Sequence, residues 1–78
     1  MRSLPELPIV YTRHAKGRMR WRRISADMIV AVLRDPDRVD HVAPGRIHVW
    51  KTAGGRKLRV IVAVEPRHLV VITAMEQS

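Results

Sequence analysis

Apolar and polar residues alternate along three stretches in the second half of the chain, at residues 46–52, 58–65 and 69–75. An alternation with a period of two is typical of β-strands that bury one face. Gly54 and Gly55 lie between the first two stretches and predict a hairpin turn over residues 53–56. Pro66 marks a second turn before the last stretch. The pattern therefore predicts three strands joined by hairpins.

In the first half of the chain, the apolar residues and the capping residues indicate helices instead of strands. Ser25 is a good N-cap, and Pro36 closes a helix after Asp35. Thr12 likewise caps an earlier helix, which we expect to run to about Arg23. Between the caps of the second helix, four apolar residues recur at helical spacing: Met28, Ile29, Val32 and Leu33. The sequence thus predicts two helices of about three turns each.

Two further short strands, at residues 9–11 and 38–42, complete the predicted order β-α-α-β-β-β-β. Helices that precede a run of hairpins favour an α+β fold, in which two short helices pack on one face of a twisted antiparallel sheet. We place the first strand at a sheet edge because Pro8 precedes it. Residues 1–8 are interpreted as a lead-in, and residues 9–78 as a single domain.

The alternation sorts the strand residues into two faces. A nearly all-apolar set should receive the helices: Ile47, Val49, Lys51, Leu58, Val60, Val62, Val64, Leu69, Val71, Thr73 and Met75. The opposite set consists of Arg46, His48, Trp50, Thr52, Arg59, Ile61, Ala63, Val70, Ile72, Ala74 and Glu76. A two-residue turn would place Trp50 opposite Arg59 and His48 opposite Ile61, whereas a one-residue slip would exchange the faces.

The charge of the chain narrows the class of partner. Fifteen Lys and Arg residues stand against seven Asp and Glu residues in 78 positions, for a net charge of +8. Most of these cations are Arg, whose planar fork suits phosphate better than the Lys ammonium does. A coding bias toward Arg is the alternative explanation. The balance favours a polyanionic or acidic partner.

The composition excludes several kinds of covalent link, metal site and membrane segment. Cysteine is absent, which excludes disulfides, iron–sulfur clusters and Cys-based zinc sites and fits a reducing cytoplasm. The four His residues lack a paired spacing, so we expect no metal site and no cofactor. The longest apolar run is residues 28–33, six residues, and residues 60–64 form a run of five, against the roughly 20 residues of a membrane-spanning helix. The N-terminus lacks the apolar core of a signal peptide. We therefore expect a cytoplasmic protein without membrane association.

The second face of the predicted sheet carries Arg46, His48, Trp50 and Arg59. Basic residues interleaved with an aromatic ring are typical of single-stranded nucleic-acid binding, because guanidinium groups hold phosphates and a base stacks on the indole. In the alternative reading, Trp50 covers apolar atoms and Arg59 lies over its ring as a cation–π pair. Both readings stay open. The residues expected to bind nucleic acid are Arg13, Arg22, Arg46, Trp50 and Lys57.

His14 is the best candidate for acid–base chemistry. It lies in the first turn of the first helix, where the positive end of the helix dipole disfavours the imidazolium ion. Arg18 follows one turn later on the same face and could grip a phosphate. Alternatively, His14 braces the helix and Arg18 ties down a loop. Cleavage of RNA by attack of the 2′-hydroxyl needs a base, an acid and a cation that stabilises the phosphorane. A second constellation, on the second sheet face, consists of His48, Arg46 and Arg59, with His48 as the acid and Arg59 as the stabilising cation.

Several short motifs resemble a family of small bacterial domains of unknown function. The resemblance rests on Tyr11-Thr12-Arg13-His14-Ala15, on Arg18-Met19, Arg22 and Ile24-Ser25, and on the strands that begin at Leu58 and Leu69. It covers about residues 9–74. The sequence departs from the family pattern at Arg23, where a Gly usually ends the first helix. Many nucleases of the RelE toxin type, which this family resembles, have a tyrosine near the C-terminus, whereas the only tyrosine here is Tyr11.

This family is similar to the RelE/ParE and BrnT toxin superfamily, many of whose members are messenger-RNA endonucleases restrained by an antitoxin. The resemblance implies a RelE-like fold and a metal-independent endoribonuclease that acts on RNA, either free or as ribosome-bound messenger RNA. Its expected catalytic residues are His14, Arg18, His48 and Arg59. Two alternatives use the same scaffold: a non-catalytic nucleic-acid-binding module, and an interaction protein that binds an acidic antitoxin or forms a homodimer.

Overall fold

The computed structural model describes residues 4–77, which fold into two helices and five strands in the predicted order. The elements are β1 (Ile9–Tyr11), α1 (Arg13–Arg22), α2 (Ala26–Arg34), β2 (Arg38–Ala43), β3 (Arg46–Ala53), β4 (Arg56–Val64) and β5 (Leu69–Gln77). The α+β class is confirmed. Within the described part of the chain, neither helix has the length and apolar content that a membrane crossing requires.

The strands form one open sheet in the order β1-β5-β4-β3-β2. β2, β3, β4 and β5 pair antiparallel with their neighbours, and β1 pairs parallel with β5. The prediction of a purely antiparallel sheet is therefore wrong for this one pair. Hairpin turns dictate the antiparallel pairs. Between β1 and β5 lie two helices and three strands, so no turn sets their relative direction. The predicted edge position of β1 is confirmed.

Both predicted helix starts are confirmed at atomic detail. The Thr12 hydroxyl accepts a hydrogen bond from the Ala15 amide at 3.0 Å and donates one to the Ile72 carbonyl at 3.0 Å. The Ser25 hydroxyl accepts from the Met28 amide at 3.1 Å. Each bond satisfies an amide that the first helical turn leaves without a partner. The bond to Ile72 also fixes the start of α1 beside β5, which sets the position of the basic helix.

The turn after α1 keeps a glycine-like shape although a basic residue occupies it. Arg23 has φ 57° and ψ 46°, in the left-handed region, and its amide donates to the Arg20 carbonyl. The Ile24 amide donates to the Met19 carbonyl at 2.8 Å, which closes the helix end. A side chain in this region costs roughly 1–2 kcal/mol of strain. The turn is therefore strained by the side chain that Arg23 carries in this conformation.

Arg23→Gly is accordingly expected to stabilise the domain by about 1 kcal/mol, since the strain is relieved and glycine is the favoured residue at this position. Urea unfolding of the two proteins checks this. As a control, Gly45→Ala should lose stability, because Gly45 has φ 70° and alanine would introduce the same strain. Equal stability of wild type and Arg23→Gly would contradict the strain argument.

The core lies between the sheet and the two helices. α2 contributes its predicted stripe, and α1 buries a single residue, Ala15, which lets the helix approach β5 closely. The buried set is Ala15, Ile24, Ile29, Val32, Leu33, Ile47, Val49, Leu58, Val60, Val62, Leu69, Val71 and Ala74. From the lead-in, Leu4 and Leu7 pack against this cluster. Because α1 buries so little, most of its surface is available to other molecules.

A β-bulge in β5 corrects the predicted face assignment. The pairing of β4 with β5 shifts by one residue, from Ile61–Thr73 to Val62–Val71, and leaves Ile72 unpaired. Beyond the bulge every side chain of β5 changes face. Thr73 and Met75, predicted to face the helices, share the other face with their partners Ile61 and Arg59. Ala74 and Glu76, predicted there, lie on the helix side, where Ala74 is buried.

Two basic side chains from the sheet hold the C-terminal ends of the helices. The Arg56 guanidinium donates to the Arg22 and Arg23 carbonyls, both at 2.9 Å, and to Glu76 Oε1 at 2.8 Å. Lys51 Nζ donates to the Asp35 carbonyl at 2.7 Å at the end of α2. Cations suit the negative end of a helix dipole. The charges of Arg56 and Lys51 therefore stabilise the fold.

Candidate nucleic-acid interface

The face of the sheet opposite the helices, called here the open face, carries a row of large side chains across four strands. Arg38 pairs with Trp50, Trp50 with Arg59, and Arg59 with Met75. Paired residues on neighbouring strands project to the same side. The predicted pairings of Trp50 with Arg59 and of His48 with Ile61 are confirmed. The row places two guanidinium groups on either side of one indole.

Trp50 stands between these two cations. The Cζ atom of Arg59 lies 4.9 Å from the centre of the Trp50 ring, and that of Arg38 lies 5.5 Å from it. Both distances fall in the cation–π range. The alternative reading from the sequence, an Arg59–Trp50 cation–π pair, is therefore present. The half-buried indole stands between the two guanidinium groups and also lines a cleft with Lys57.

Arg38 is the less available of the two guanidinium groups. Its Nε donates to Asp40 Oδ1 at 3.0 Å and its Nη2 lies 2.9 Å from Asp40 Oδ2, a two-pronged ion pair. The hydrogen bond from Arg38 holds the pKa of Asp40 below its usual value, against a smaller opposing effect of desolvation. Arg59, in contrast, has no acidic partner among residues 4–77. Arg59 is the cation of this row with charge to offer a ligand.

A groove with a volume of about 180 Å³ runs between α1 and the part of β5 that extends beyond its pairing with β1. One wall consists of three residues at successive helical turns of α1, namely His14, Arg18 and Arg22. Thr73, Ala74 and Met75 of β5 form the other. Within the described residues, neither the His14 nor the Arg18 side chain makes a hydrogen bond in the fold. Both side chains are therefore available to a ligand.

Met75 joins the groove to the open face. Its side chain lines the groove, and its Sδ lies 2.9 Å from Arg59 Nη2. The bulge at Ile72 makes this possible, since it turns Met75 away from the helix side. The groove residues and the Trp50–Arg59 pair are thus parts of one continuous surface, called here the basic surface.

Three N–H donors on this surface are buried. Arg22 Nε and Arg59 Nε have no hydrogen-bond partner among the described residues, and Trp50 Nε1 interacts with the Asp40 carboxylate. A buried donor without a partner costs roughly 1–3 kcal/mol, so such groups are rare and call for an explanation. All three belong to residues predicted to bind nucleic acid or phosphate. The guanidinium and indole groups that carry these donors lie together on the basic surface.

The electrostatics of the chain point to the same surface. Five of the seven acidic residues form ion pairs, with Arg34, Arg38, Lys51 and Arg56 as their partners. Over residues 4–77, no ion pair involves a cation of α1. These uncompensated cations are Arg13, Lys16, Arg18, Arg20 and Arg22. The net positive charge is therefore concentrated on α1 and on the open face beside it.

The remaining predicted residues lie around this surface rather than within the groove. His48 stands on β3 between Asp40 and Ile61, two strands from Thr73, which places it roughly 10 Å from the groove wall. Arg46 is exposed at the start of β3. Lys57 lines a separate cleft beside Trp50. The structure therefore brings His14, Arg18 and Arg59 together through Met75, and leaves His48 apart.

The sequence did not predict two residues of the site, Arg38 and Met75. Counting back from the Pro44-Gly45 turn would pair Trp50 with Val39, but a bulge between His41 and Ala43 shifts the pairing to Arg38. A second bulge moves Met75.

Tyr11, the only tyrosine, lies on the helix side as the partner of Val71. Burial raises its pKa, with a further contribution from Asp27, so its phenol stays protonated.

Within residues 4–77, no three His, Asp or Glu side chains are placed to hold a metal ion.

Neither the curated proteins nor the solved structures include a match to the chain. One family model does match, over residues 11–76, and this range contains both helices, the sheet from Tyr11 onward and the whole basic surface. The chain therefore belongs to DUF4258, a family of domains of unknown function, as its Thr-x-His-Ala start and Arg-Met pair predict.

Proposed function

We propose that this domain binds single-stranded RNA along the basic surface and cleaves it without a metal ion, as a toxin of the RelE/ParE type. The observation that carries the proposal is the junction at Met75, which joins the His14–Arg18–Arg22 groove to Arg59. Successive phosphates of one strand could follow the groove and reach the open face. The guanidinium groups of Arg22 and Arg59, which have no acidic partner among residues 4–77, supply charge-assisted hydrogen bonds for such phosphates.

The chemistry follows from the groups in the groove. His14, as the neutral imidazole, takes the proton of a ribose 2′-hydroxyl while the 2′-oxygen attacks the adjacent phosphorus. The bond from phosphorus to the 5′-oxygen breaks, and the leaving oxygen takes a proton from water. Arg18 and Arg22 stabilise the charge on the phosphorane. The products are a 2′,3′-cyclic phosphate and a 5′-hydroxyl.

His14 is the preferred base because it shares the groove with two cations. His48 has Asp40 and Ile61 as strand partners, and no cation of the groove is next to it. A base must come within hydrogen-bond reach of the hydroxyl whose proton it takes, at about 2.6–3.2 Å. The roughly 10 Å between the His48 strand position and the groove wall exceeds this reach. His48 and Arg59 are better suited to hold a neighbouring nucleotide.

Cleavage of RNA by the purified chain in the presence of EDTA tests the proposal. Wild type is expected to produce fragments that end in a 2′,3′-cyclic phosphate, and His14→Ala to lose about a hundredfold in rate, as loss of a general base implies. His68→Ala is the matched control, because His68 is exposed in the β4–β5 turn, and should keep the wild-type rate. Equal rates for the two variants, or no cleavage by wild type, would reject the catalytic role.

A second candidate is a non-catalytic RNA-binding module. The observation that favours it is that the groove holds one imidazole and no second acid–base side chain. RNA binding by wild type without cleavage, on free RNA and on ribosome-bound messenger RNA, would select this candidate. In a toxin, an acidic antitoxin would cover the same basic surface and compete with RNA for Arg18 and Arg59.

A further inference from the structure

Trp21 is the most exposed large apolar side chain of the described chain, with 74% of its surface accessible. It lies near the end of α1, whereas the other tryptophan, Trp50, is half-buried between two guanidinium groups. A single exposed apolar residue is common on protein surfaces and needs no explanation by itself. What distinguishes Trp21 is the set of residues around it.

Gly17 lies one helical turn before Trp21, on the same face of α1. Glycine in the middle of a helix lowers stability relative to alanine. A Cβ atom added at Gly17 would meet nothing within 4 Å, and its backbone is helical, so neither packing nor conformation requires glycine here. The missing side chain opens a recess of about 330 Å³ lined by Arg13, His14, Gly17, Arg18 and Trp21. We call this the Trp21 recess.

The Trp21 recess combines an aromatic wall with a cationic rim. The Cζ atoms of Arg18 and Arg22 lie 5.9 and 5.5 Å from the centre of the Trp21 ring. A flat base could lie on the indole above the bare backbone at Gly17, with its phosphate beside Arg13 or Arg18. A protein helix would instead need several apolar anchors along α1. The other apolar residues of α1, Ala15 and Met19, pack toward the core.

We propose that Trp21, not Trp50, is the base-stacking residue of this domain, and that the Trp21 recess receives the nucleotide next to the bond that is cut. This inference rests on the proposed RNA binding and specifies where a base is held. His14 and Arg18 line both the recess and the groove beside β5. A base stacked on Trp21 therefore brings its own ribose and phosphate to His14.

Two single-stranded probes test the stacking role: a 12-nucleotide RNA and an abasic oligomer with the same phosphates. Trp21→Ala is expected to weaken binding of the RNA about tenfold or more, since stacking on an aromatic ring contributes about 1–3 kcal/mol per base. Its affinity for the abasic oligomer should equal that of wild type. Val42→Ala is the control, because it removes another exposed apolar side chain that lies outside the Trp21 recess and the groove, and it should keep the RNA affinity.

Gly17→Ala gives a second, independent test. The methyl group should raise the melting temperature by a few degrees, because alanine favours the helix. It should lower RNA affinity several-fold, because it projects into the recess where the base would lie on the bare backbone. Greater stability together with weaker binding cannot arise from unfolding. If RNA binds wild type, Trp21→Ala and Gly17→Ala equally, the inference is overturned and the proposed RNA binding stands. If wild type binds neither probe, the proposed function fails as well.

Discussion

Arg56→Met is expected to lower the free energy of unfolding by about 2–3 kcal/mol, a large share of the stability of a domain this small. The guanidinium donates to two carbonyls at the end of α1 and to Glu76. Hydrogen bonds that involve a charged group contribute about 1.5–3 kcal/mol, and the exposed ion pair adds less than 1 kcal/mol. Methionine retains the packing of the side-chain stem, so the loss isolates the guanidinium.

Urea unfolding measures the effect, with two variants for comparison. Arg67→Met removes an exposed Arg from the β4–β5 turn and should change stability by less than about 0.5 kcal/mol. Arg56→Lys retains the charge but not the planar fork, and should recover about half of the loss. Losses of the same size for Arg56→Met and Arg67→Met would show that the carbonyl contacts contribute nothing beyond an ordinary surface charge.

The contacts of Arg56 also mark the limit of the sequence-based prediction. Ser25, Thr12 and Pro36 carry local signals, so the helix bounds follow from the sequence. Gly54 and Gly55 both have positive φ and form the two-residue turn that sets Trp50 opposite Arg59. No local pattern distinguishes a basic residue that binds a distant helix end from one that faces solvent.

The two β-bulges limited the prediction of the candidate site. Each shifts a strand pairing by one residue, and a shift of one residue exchanges faces or partners. The bulge at Ile72 moved Met75 onto the open face, and without it the groove and the Trp50–Arg59 pair would be separate features. A bulge depends on packing between strands distant in sequence, so alternation alone does not reveal it. The position of α1 beside the edge of β5 is likewise a tertiary property.

The same junction makes the double variant Arg22→Met/Arg59→Met the most damaging to RNA binding. Each guanidinium is half-buried and has no acidic partner among the described residues. A charge-assisted hydrogen bond contributes about 1.5–3 kcal/mol, so two such losses should weaken binding by about 10²–10⁴-fold. The variant should keep its melting temperature, because it also removes two buried donors that the fold leaves unsatisfied.

The dependence of affinity on salt separates specific contacts from net charge. Each phosphate contact to a single strand contributes about 0.7 to the slope of log K against log salt concentration, so the double variant should lower that slope by about 1.4. Arg34→Met/Arg67→Met removes the same charge away from the basic surface and should leave the slope unchanged. If both double variants reduce affinity and slope equally, RNA responds only to the overall charge of the domain. A loss confined to Arg22 and Arg59 would assign the phosphate contacts to the two residues that Met75 brings together.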